Sequence, residues 1–168
     1  MPPPDSGPHS PRFSDRVAIF LATGFGVGWI RFAPGTWGSV VGVLMVAAGQ
    51  SLLASSPQRM LASMILLFIG IPICERGAKL IGRKDPGEIV WDEIAAMPIV
   101  FCATNFSFSS AAIGFLWFRL FDIWKPWPIR RLQDLPGGLG VMIDDILAAL
   151  LAAACLYGTM HVRYLVPL

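Results

Sequence analysis

Two stretches of this chain place charged residues directly beside strongly apolar sequence. They are FRLFDIWKPWP at residues 118–128 and GGLGVMIDD at residues 137–145. An ionised side chain next to hydrocarbon is costly unless an opposite charge, water or a metal ion compensates it. The carboxylates in these stretches could bind a divalent metal ion, and the cations could bind an anion. This combination is suited to phosphate chemistry at the surface of a membrane.

A third stretch, KDPGEIVWDE at residues 84–93, carries acidic residues up to the start of an apolar segment. Glu88 and Asp92 are four residues apart, so they share one face of a helix, and Glu93 lies about 100° round from Asp92. The helix dipole is a sufficient explanation for Glu88 in a first turn. Adjacent acids at an apolar boundary repel each other, and oxygen-rich clusters suit Mg²⁺. We therefore expect Asp92 and Glu93 to be functional acids.

The spacing of the charged residues at 118–128 predicts the local structure that presents them. Arg119 and Asp122 are three residues apart and could pair on a helix. The prolines that follow Lys125 are expected to end that helix, because a residue before proline disfavours helical geometry. The glycines at 137–140 predict a flexible turn that brings Asp144 and Asp145 to the start of the last apolar helix.

A glycine-containing loop, APGTWGS at residues 33–39, is the remaining candidate for anion binding. Gly35 permits a tight turn and a close approach of the backbone to a ligand. Thr36 could cap a helix that begins near Ser39, or a neighbouring amide could meet an anion there. Arg31, just before this loop, is a weaker candidate for holding the anion.

The composition favours a membrane protein. The 168 residues suit one domain, and they are 55% hydrophobic and 14% charged, with a mean hydropathy of +0.63. A soluble helical protein with an unusually apolar core is the alternative. A net charge of +2 without a basic helix argues against nucleic acid as a partner. Residues 1–11, rich in proline and serine, are expected to be a disordered tail before a single helical domain at 12–168.

The side chains available for nucleophilic or metal chemistry are restricted. The three cysteines, Cys74, Cys102 and Cys155, are single residues in apolar sequence, which indicates neither a zinc site nor a disulfide framework. The two histidines, His9 and His161, lie close to the two ends of the chain. The middle of the chain therefore has no histidine that could activate a serine or cysteine nucleophile.

The apolar segments predict an all-helical fold with its charged loops on one side. The segments are 17–30, 38–55, 60–74, 94–104, 110–121 and 143–160. If 38–55 and 60–74 form one hairpin and 94–104 and 110–121 a second, eleven of the thirteen cations lie on one side, and all eleven acids lie there or at its boundary. The positive-inside rule assigns that side to the cytoplasm. Several segments are shorter than a full span of about 20 residues. A single helix over 94–121 would move the 122–145 residues to the opposite face.

The charged blocks also resemble a known family. APGTWGS, IVWDE at 89–93, FRLFDIWKPWPI at 118–129 and GGLGVMIDD are similar in order and spacing to phosphatidylglycerophosphatase A over roughly residues 17–155. The resemblance implies an all-helical domain in the bacterial inner membrane. It also implies Mg²⁺-dependent removal of the terminal phosphate from phosphatidylglycerophosphate, which gives phosphatidylglycerol and inorganic phosphate.

The residues themselves suggest a compatible mechanism. Arg119 and Lys125 would hold the phosphate, and metal-activated water would attack it, although a phospho-aspartyl intermediate is an alternative. The expected metal-binding and catalytic carboxylates are Asp92, Glu93, Asp122, Asp144 and Asp145. A small ion-coupled membrane transporter and a lipid phosphatase for another phosphomonoester are the rival functions. The apparent position of the acids at helix starts favours interfacial chemistry over transport, and the sequence predicts no oligomeric state.

Overall fold

A computed structural model describes residues 12–50, 52–53, 55–84, 86–127, 129 and 137–165, with the backbone alone at residues 56 and 163–165. All regular structure within these residues is helical, as the sequence predicts. The helices are α1 (Phe13–Ala22), α2 (Pro34–Gly49), α3 (Ser56–Ile81), α4 (Trp91–Val100), α5 (Phe108–Trp124) and α6 (Gly137–Leu165), with a short 3₁₀ helix at Val27–Trp29. The tail expected at residues 1–11 lies outside the described residues.

Helix α4 is the centre of the fold. Seven of its ten residues are buried, and it packs against α2, α3 and α6. Ten residues rise only about 15 Å, which is half the thickness of a bilayer core. The segment predicted at 94–104 is therefore a core helix. The alternative of one helix over 94–121 is wrong, because α4 ends at Val100 and α5 begins at Phe108.

Contacts between neighbouring helices fix their directions. Gly35 lies against Glu93 and Gly42 lies against Met97, so α2 runs parallel to α4. The indole Nε1 of Trp91, at the start of α4, donates to the carbonyl oxygen of Leu66 in the middle of α3 at 3.4 Å. Farther along α3, Gly77 meets Ala22 and Ile89, which precede α4, so α3 runs antiparallel to α4.

The same contacts gather several charge-rich connections at one end of the bundle. The backbone N–H of Val90 donates to the carbonyl oxygen of Ala22 at 3.0 Å. Gly28 packs so closely on the Glu88 backbone that a Cβ would overlap its carbonyl oxygen. The connection before α2 and the connection before α4 therefore lie side by side, next to the C-terminal end of α3.

Three predicted element boundaries are wrong. The apolar segment 17–30 is not one helix, because Gly24, Phe25 and Gly26 all have positive φ angles, which a right-handed helix excludes. Helix α3 continues seven residues beyond the predicted end at 74. The glycines at 137–140 form the first turn of α6 instead of a flexible turn, and a Cβ at Gly138 would overlap the carbonyl oxygen of Ile71.

Within the described part of the chain, two helices are long and apolar enough to cross a membrane. They cover Pro57–Ile81 and Gly137–Val162, with mean hydropathies of 1.6 and 2.1. The long core helices of soluble proteins pass the same test, and half of the second window is buried inside the protein. Length and composition are thus consistent with a membrane protein but weak evidence for one.

Candidate active site

Three carboxylates converge where the first turn of α4 meets α6. Asp92, Glu93 and Asp145 each contribute one carboxylate oxygen, and these oxygens all lie within 4.8 Å of one another. Asp92 is 8% exposed and Asp145 is 3% exposed. Packing of α4 against α6 therefore forces negative charges together in the interior of the protein.

This acidic cluster is incompletely compensated by the protein. Among the residues that the structure describes, Asp92 Oδ1 and Glu93 Oε2 are buried and have no hydrogen-bond partner. Burial and the charges of Glu93 and Asp145 raise the pKa of Asp92 well above its usual value. Burial likewise raises the pKa of Glu93 to about 7, although a hydrogen bond with Asp92 and the charge of Arg119 lower it and only the charge of Asp122 adds to the rise. Burial and repulsion between neighbouring carboxylates both disfavour the ionised forms of these acids in the absence of a bound cation.

Arg119 connects the cluster to α2 and to its own helix. Its Nη1 donates to Asp122 Oδ2 at 2.5 Å, which confirms the predicted pairing, and lies 4.0 Å from Glu93 Oε1. The same nitrogen is 3.5 Å from Ser39 Oγ on α2. Its Nε is buried and meets no acceptor within the described part of the chain. The N–H of this buried guanidinium nitrogen can therefore donate a hydrogen bond to an additional acceptor.

Lys125 forms the second pair between a cation and a carboxylate. It ends α5, as the following proline predicts, and has a φ of 45°. Its Nζ donates to Asp144 Oδ2 at 2.5 Å. Burial lowers the pKa of Lys125, but the hydrogen bond and the charge of Asp144 outweigh burial and raise it overall. Asp122 and Asp144 are thus each paired with a cation. Arg119 lies 4.0 Å from Glu93, and Asp144 directly precedes Asp145, so both pairs adjoin the cluster.

The predicted anion loop has a different structure and a different set of contacts. Helix α2 begins at Pro34, so Thr36 lies inside its first turn and is not the cap of a helix that begins near Ser39. Gly35 does allow a close approach, but to protein atoms: a Cβ there would overlap Glu93 Oε1 and lie 3.2 Å from Arg119 Nη1. Arg31 is exposed in the preceding connection, and no described contact links it to the carboxylates.

Sequence reasoning missed one residue of this arrangement. Ser39 is fully buried, and its Oγ donates to the carbonyl oxygen of Gly35 at 2.8 Å while facing Arg119. Its position in the APGTWGS block was visible, but its contact with Arg119 depends on how α2 packs against α5. That packing leaves no local signal in the sequence.

The expected position of the acids at helix starts holds for two of the five. Asp92 and Glu93 lie in the first turn of α4. Asp122 lies near the C-terminal end of α5, and Asp144 and Asp145 lie in the third turn of α6. The position of the acids therefore no longer separates a phosphatase from a carrier.

Comparison with known proteins distinguishes a phosphatase from a carrier. The family model for phosphatidylglycerophosphatase A matches residues 20–160. Phosphatidylglycerophosphatase A of Escherichia coli (strain K12) is 40% identical over 146 residues, which cover 84% of this chain and 82% of that protein. The Haemophilus influenzae protein of the same name is 38% identical over 143 residues, covering 84% and 87%.

A more distant relative carries a different name. A protein of Bacteroides thetaiotaomicron, whose assignment as a phosphatidylinositol-3-phosphatase is provisional, is 33% identical over 138 residues that cover 79% of this chain and 86% of that protein. No solved structure shows a significant match. The range matched by the family model contains all five candidate carboxylates and most of the chain. The chain therefore belongs to the phosphatidylglycerophosphatase A family.

Proposed function

We propose that this protein hydrolyses the terminal phosphomonoester of phosphatidylglycerophosphate, which gives phosphatidylglycerol and inorganic phosphate. The observation that carries the proposal is the family match over residues 20–160, with 40% identity to the Escherichia coli phosphatidylglycerophosphatase A. The family gives no support to the alternative of an ion-coupled transporter. The enzyme is accordingly a phosphoric monoester hydrolase of phospholipid synthesis.

The acidic cluster supports Mg²⁺ as the cofactor. Asp92, Glu93 and Asp145 offer only oxygen atoms, the ligands that Mg²⁺ prefers. The two buried carboxylate oxygens without partners among the described residues are what a bound cation would satisfy. A bound Mg²⁺ would neutralise charge on the phosphoryl oxygens and lower the pKa of a bound water. Asp122 and Asp144, already paired with cations, complete the predicted carboxylate set at its edge.

The cations of the site are positioned to bind the phosphate. Arg119 carries a buried Nε without an acceptor in the described residues, and Arg–phosphate hydrogen bonds are charge-assisted and directional. Lys125 supplies a second, partly exposed positive charge beside Asp144. Gly35 and Thr36, in the first turn of α2, would form part of the wall beside Arg119. Arg31, exposed before this helix, stays a weaker candidate for phosphate binding.

The reaction that this arrangement favours is direct attack by water on phosphorus. The new oxygen–phosphorus bond forms as the ester bond breaks, and the lipid glycerol leaves with a proton as a hydroxyl group. His161 is too far away to assist, because it lies sixteen residues beyond Asp145 on α6, about 24 Å along the helix axis. A covalently phosphorylated aspartate trapped during turnover would overturn this proposal in favour of a two-step reaction.

The proposed location is the bacterial inner membrane, with the site facing the cytoplasm. The charge-rich connections lie at one end of the bundle, which the positive-inside rule places in the cytoplasm. Trp124 and Trp127, beside the site, are 68% and 76% exposed, as expected of anchors in the headgroup region. The lipid bilayer and the phospholipid substrate are then the partners of the protein.

Phosphate release by the purified protein in detergent micelles tests this function. We expect phosphatidylglycerophosphate to yield one phosphate for each phosphatidylglycerol formed, with Mg²⁺ and not with EDTA. Phosphatidylinositol 3-phosphate should compete poorly. Folded, Mg²⁺-supplied protein that releases no phosphate from phosphatidylglycerophosphate would contradict the proposal, and preferential hydrolysis of phosphatidylinositol 3-phosphate would reassign the substrate.

A further inference from the structure

An open apolar groove runs along the outside of the bundle between α2 and α5. Its volume is about 470 Å³, within the range of sites that bind small molecules. Every residue that lines it is apolar. Its walls, here called the α2–α5 groove, include Val40, Leu44 and Ala47 from α2 and Phe108, Ala112 and Phe115 from α5.

One end of the α2–α5 groove adjoins the candidate active site. Val40 directly follows Ser39, whose Oγ faces Arg119 at 3.5 Å. On the opposite wall, Phe115 precedes Arg119 by four residues, which is about one helical turn. From Ser39 the groove follows α2 for about 12 Å, as far as Ala47. The residues that line this end of the groove are therefore neighbours, along α2 and α5, of the residues that flank the proposed phosphate position.

The other described cavities are less suited to a long apolar group. A cavity between the C-terminal end of α2 and the N-terminal end of α3 has a volume of only about 70 Å³. A larger pocket beside the N-terminus of α6 is lined by Lys79, Arg83, Lys84 and Glu75. Charged walls of that kind oppose hydrocarbon.

We propose that the α2–α5 groove binds one acyl chain of the phospholipid whose phosphomonoester occupies the carboxylate site. The inference rests on the proposed function, which requires a substrate with a phosphate at one end and hydrocarbon at the other. One end of the groove is lined by Val40, the residue after Ser39, and by Phe115, one helical turn before Arg119, and its walls carry no charge. Binding a chain there fixes the depth and the direction from which the headgroup reaches the cluster.

Filling the groove tests the proposal. The Ala112→Trp variant places an indole in the groove, and Ala154→Trp makes the same change on an exposed part of α6 outside it. Phosphate release is compared for long-chain phosphatidylglycerophosphate and for a short-chain, water-soluble form. We expect Ala112→Trp to lower the long-chain to short-chain ratio of kcat/KM by about tenfold, because the lost apolar burial acts on the long chain alone. Ala154→Trp should leave the ratio unchanged.

A second measurement covers the case in which Ala112→Trp does not fold. Wild-type protein is irradiated with a phospholipid that carries a photoactivatable group within one acyl chain, and the cross-linked peptides are identified. Cross-links concentrated on α2 and α5 support the groove, whereas cross-links spread equally over α3 and α6 overturn it. An unchanged long-chain to short-chain ratio of kcat/KM in folded Ala112→Trp also overturns the proposal. If that variant in addition alters the oligomeric mass, the α2–α5 face is a contact between copies of the chain. Wild-type protein that hydrolyses neither substrate would contradict the proposed function instead, and the cross-links would still decide the groove.

Discussion

At the scale of single residues, the five carboxylates differ in how they are compensated. Asp122 pairs with Arg119, and Asp144 pairs with Lys125, each at 2.5 Å. Asp92, Glu93 and Asp145 are gathered within 4.8 Å, and an oxygen of each of the first two lacks a partner among the described residues. The paired acids orient the cations, and the remaining three form the proposed metal site.

Metal binding at this site should depend on pH near neutrality. The pKa of Glu93 is raised from 4.5 to about 7, so Glu93 is protonated below that value, and a proton competes with the metal. We expect the affinity for Mg²⁺, measured by titration calorimetry, to fall by up to about tenfold per proton displaced between pH 8 and pH 6. Glu93→Gln should bind more weakly and with less pH dependence. Equal wild-type affinity at both pH values would contradict this assignment.

Arg119 should not be replaceable by lysine. Lysine keeps the charge but cannot reproduce the planar set of donors that meets Asp122 and leaves Nε for the phosphate. We expect Arg119→Lys to lower kcat/KM for phosphate release by about tenfold or more. Arg83→Lys is the matched control, because Arg83 pairs with Glu88 in an exposed position away from the cluster. Wild-type activity in Arg119→Lys would remove Arg119 from phosphate binding.

At the scale of helices, close packing of α2 on α4 holds the site together. Gly35, Gly38 and Gly42 of α2 all lie where a Cβ would come within 2.7 Å of α4 or of the residue before it. The APGTWGS block is therefore a helix start whose small residues allow close packing. The predicted helix start near Ser39 is wrong, because α2 begins at Pro34, and ligand binding by this block stays a prediction. The glycine spacing predicts that another group approaches α2 closely, but it does not distinguish a ligand from a neighbouring helix.

Gly35→Ala should disturb both stability and activity. The added methyl group overlaps Glu93 Oε1, and overpacking of this kind costs about 1–3 kcal/mol. We expect a lower thermal midpoint and reduced phosphate release. Gly49→Ala, at the C-terminal end of the same helix, meets only Leu53 at 3.8 Å and should be neutral or slightly stabilising. A Gly35→Ala variant with wild-type stability and activity would show that the close approach is dispensable.

The limits of sequence analysis are clearest in α4 and α6. Apolar composition located both helices, and the acidic residues next to them marked the site. Composition could not show that α4 is too short to span a membrane or that other helices surround it, because a buried helix and a short membrane segment have the same composition. It also assigned the glycines at 137–140 to a turn, because the contact of Gly138 with the Ile71 carbonyl, which requires glycine in the first turn of α6, is tertiary.

At the scale of the whole molecule, the structure supports the predicted gathering of charged connections at one end. The pairing of helices differs from two simple hairpins, because α2 packs mainly on α4 and α5 packs mainly on α6. The directions of the helices nevertheless bring the acids of α4 and α6 to the same level. The family resemblance, read from four sequence blocks, is confirmed by the match over residues 20–160.

The proposed orientation predicts which surfaces are accessible from each side of the membrane. In a variant without Cys74, Cys102 and Cys155, a cysteine introduced at Lys84 should react with an impermeant thiol reagent only after the inner membrane is opened. A cysteine at Ser55, at the other end of the bundle, should react in intact spheroplasts. Labelling of the Lys84 position in intact spheroplasts would reverse the proposed orientation.

We propose that the acidic cluster on α4 and α6 binds the divalent ion that phosphate release requires. The most direct test measures Mg²⁺ binding and phosphate release together in Asp92→Asn, Asp145→Asn and the control Asp15→Asn, which changes an aspartate on α1 that pairs with Arg76. We predict that both cluster variants lose Mg²⁺ binding and lose phosphate release by about a hundredfold or more, while Asp15→Asn keeps both. Folded cluster variants that still bind Mg²⁺ and release phosphate as the wild type does would contradict the account.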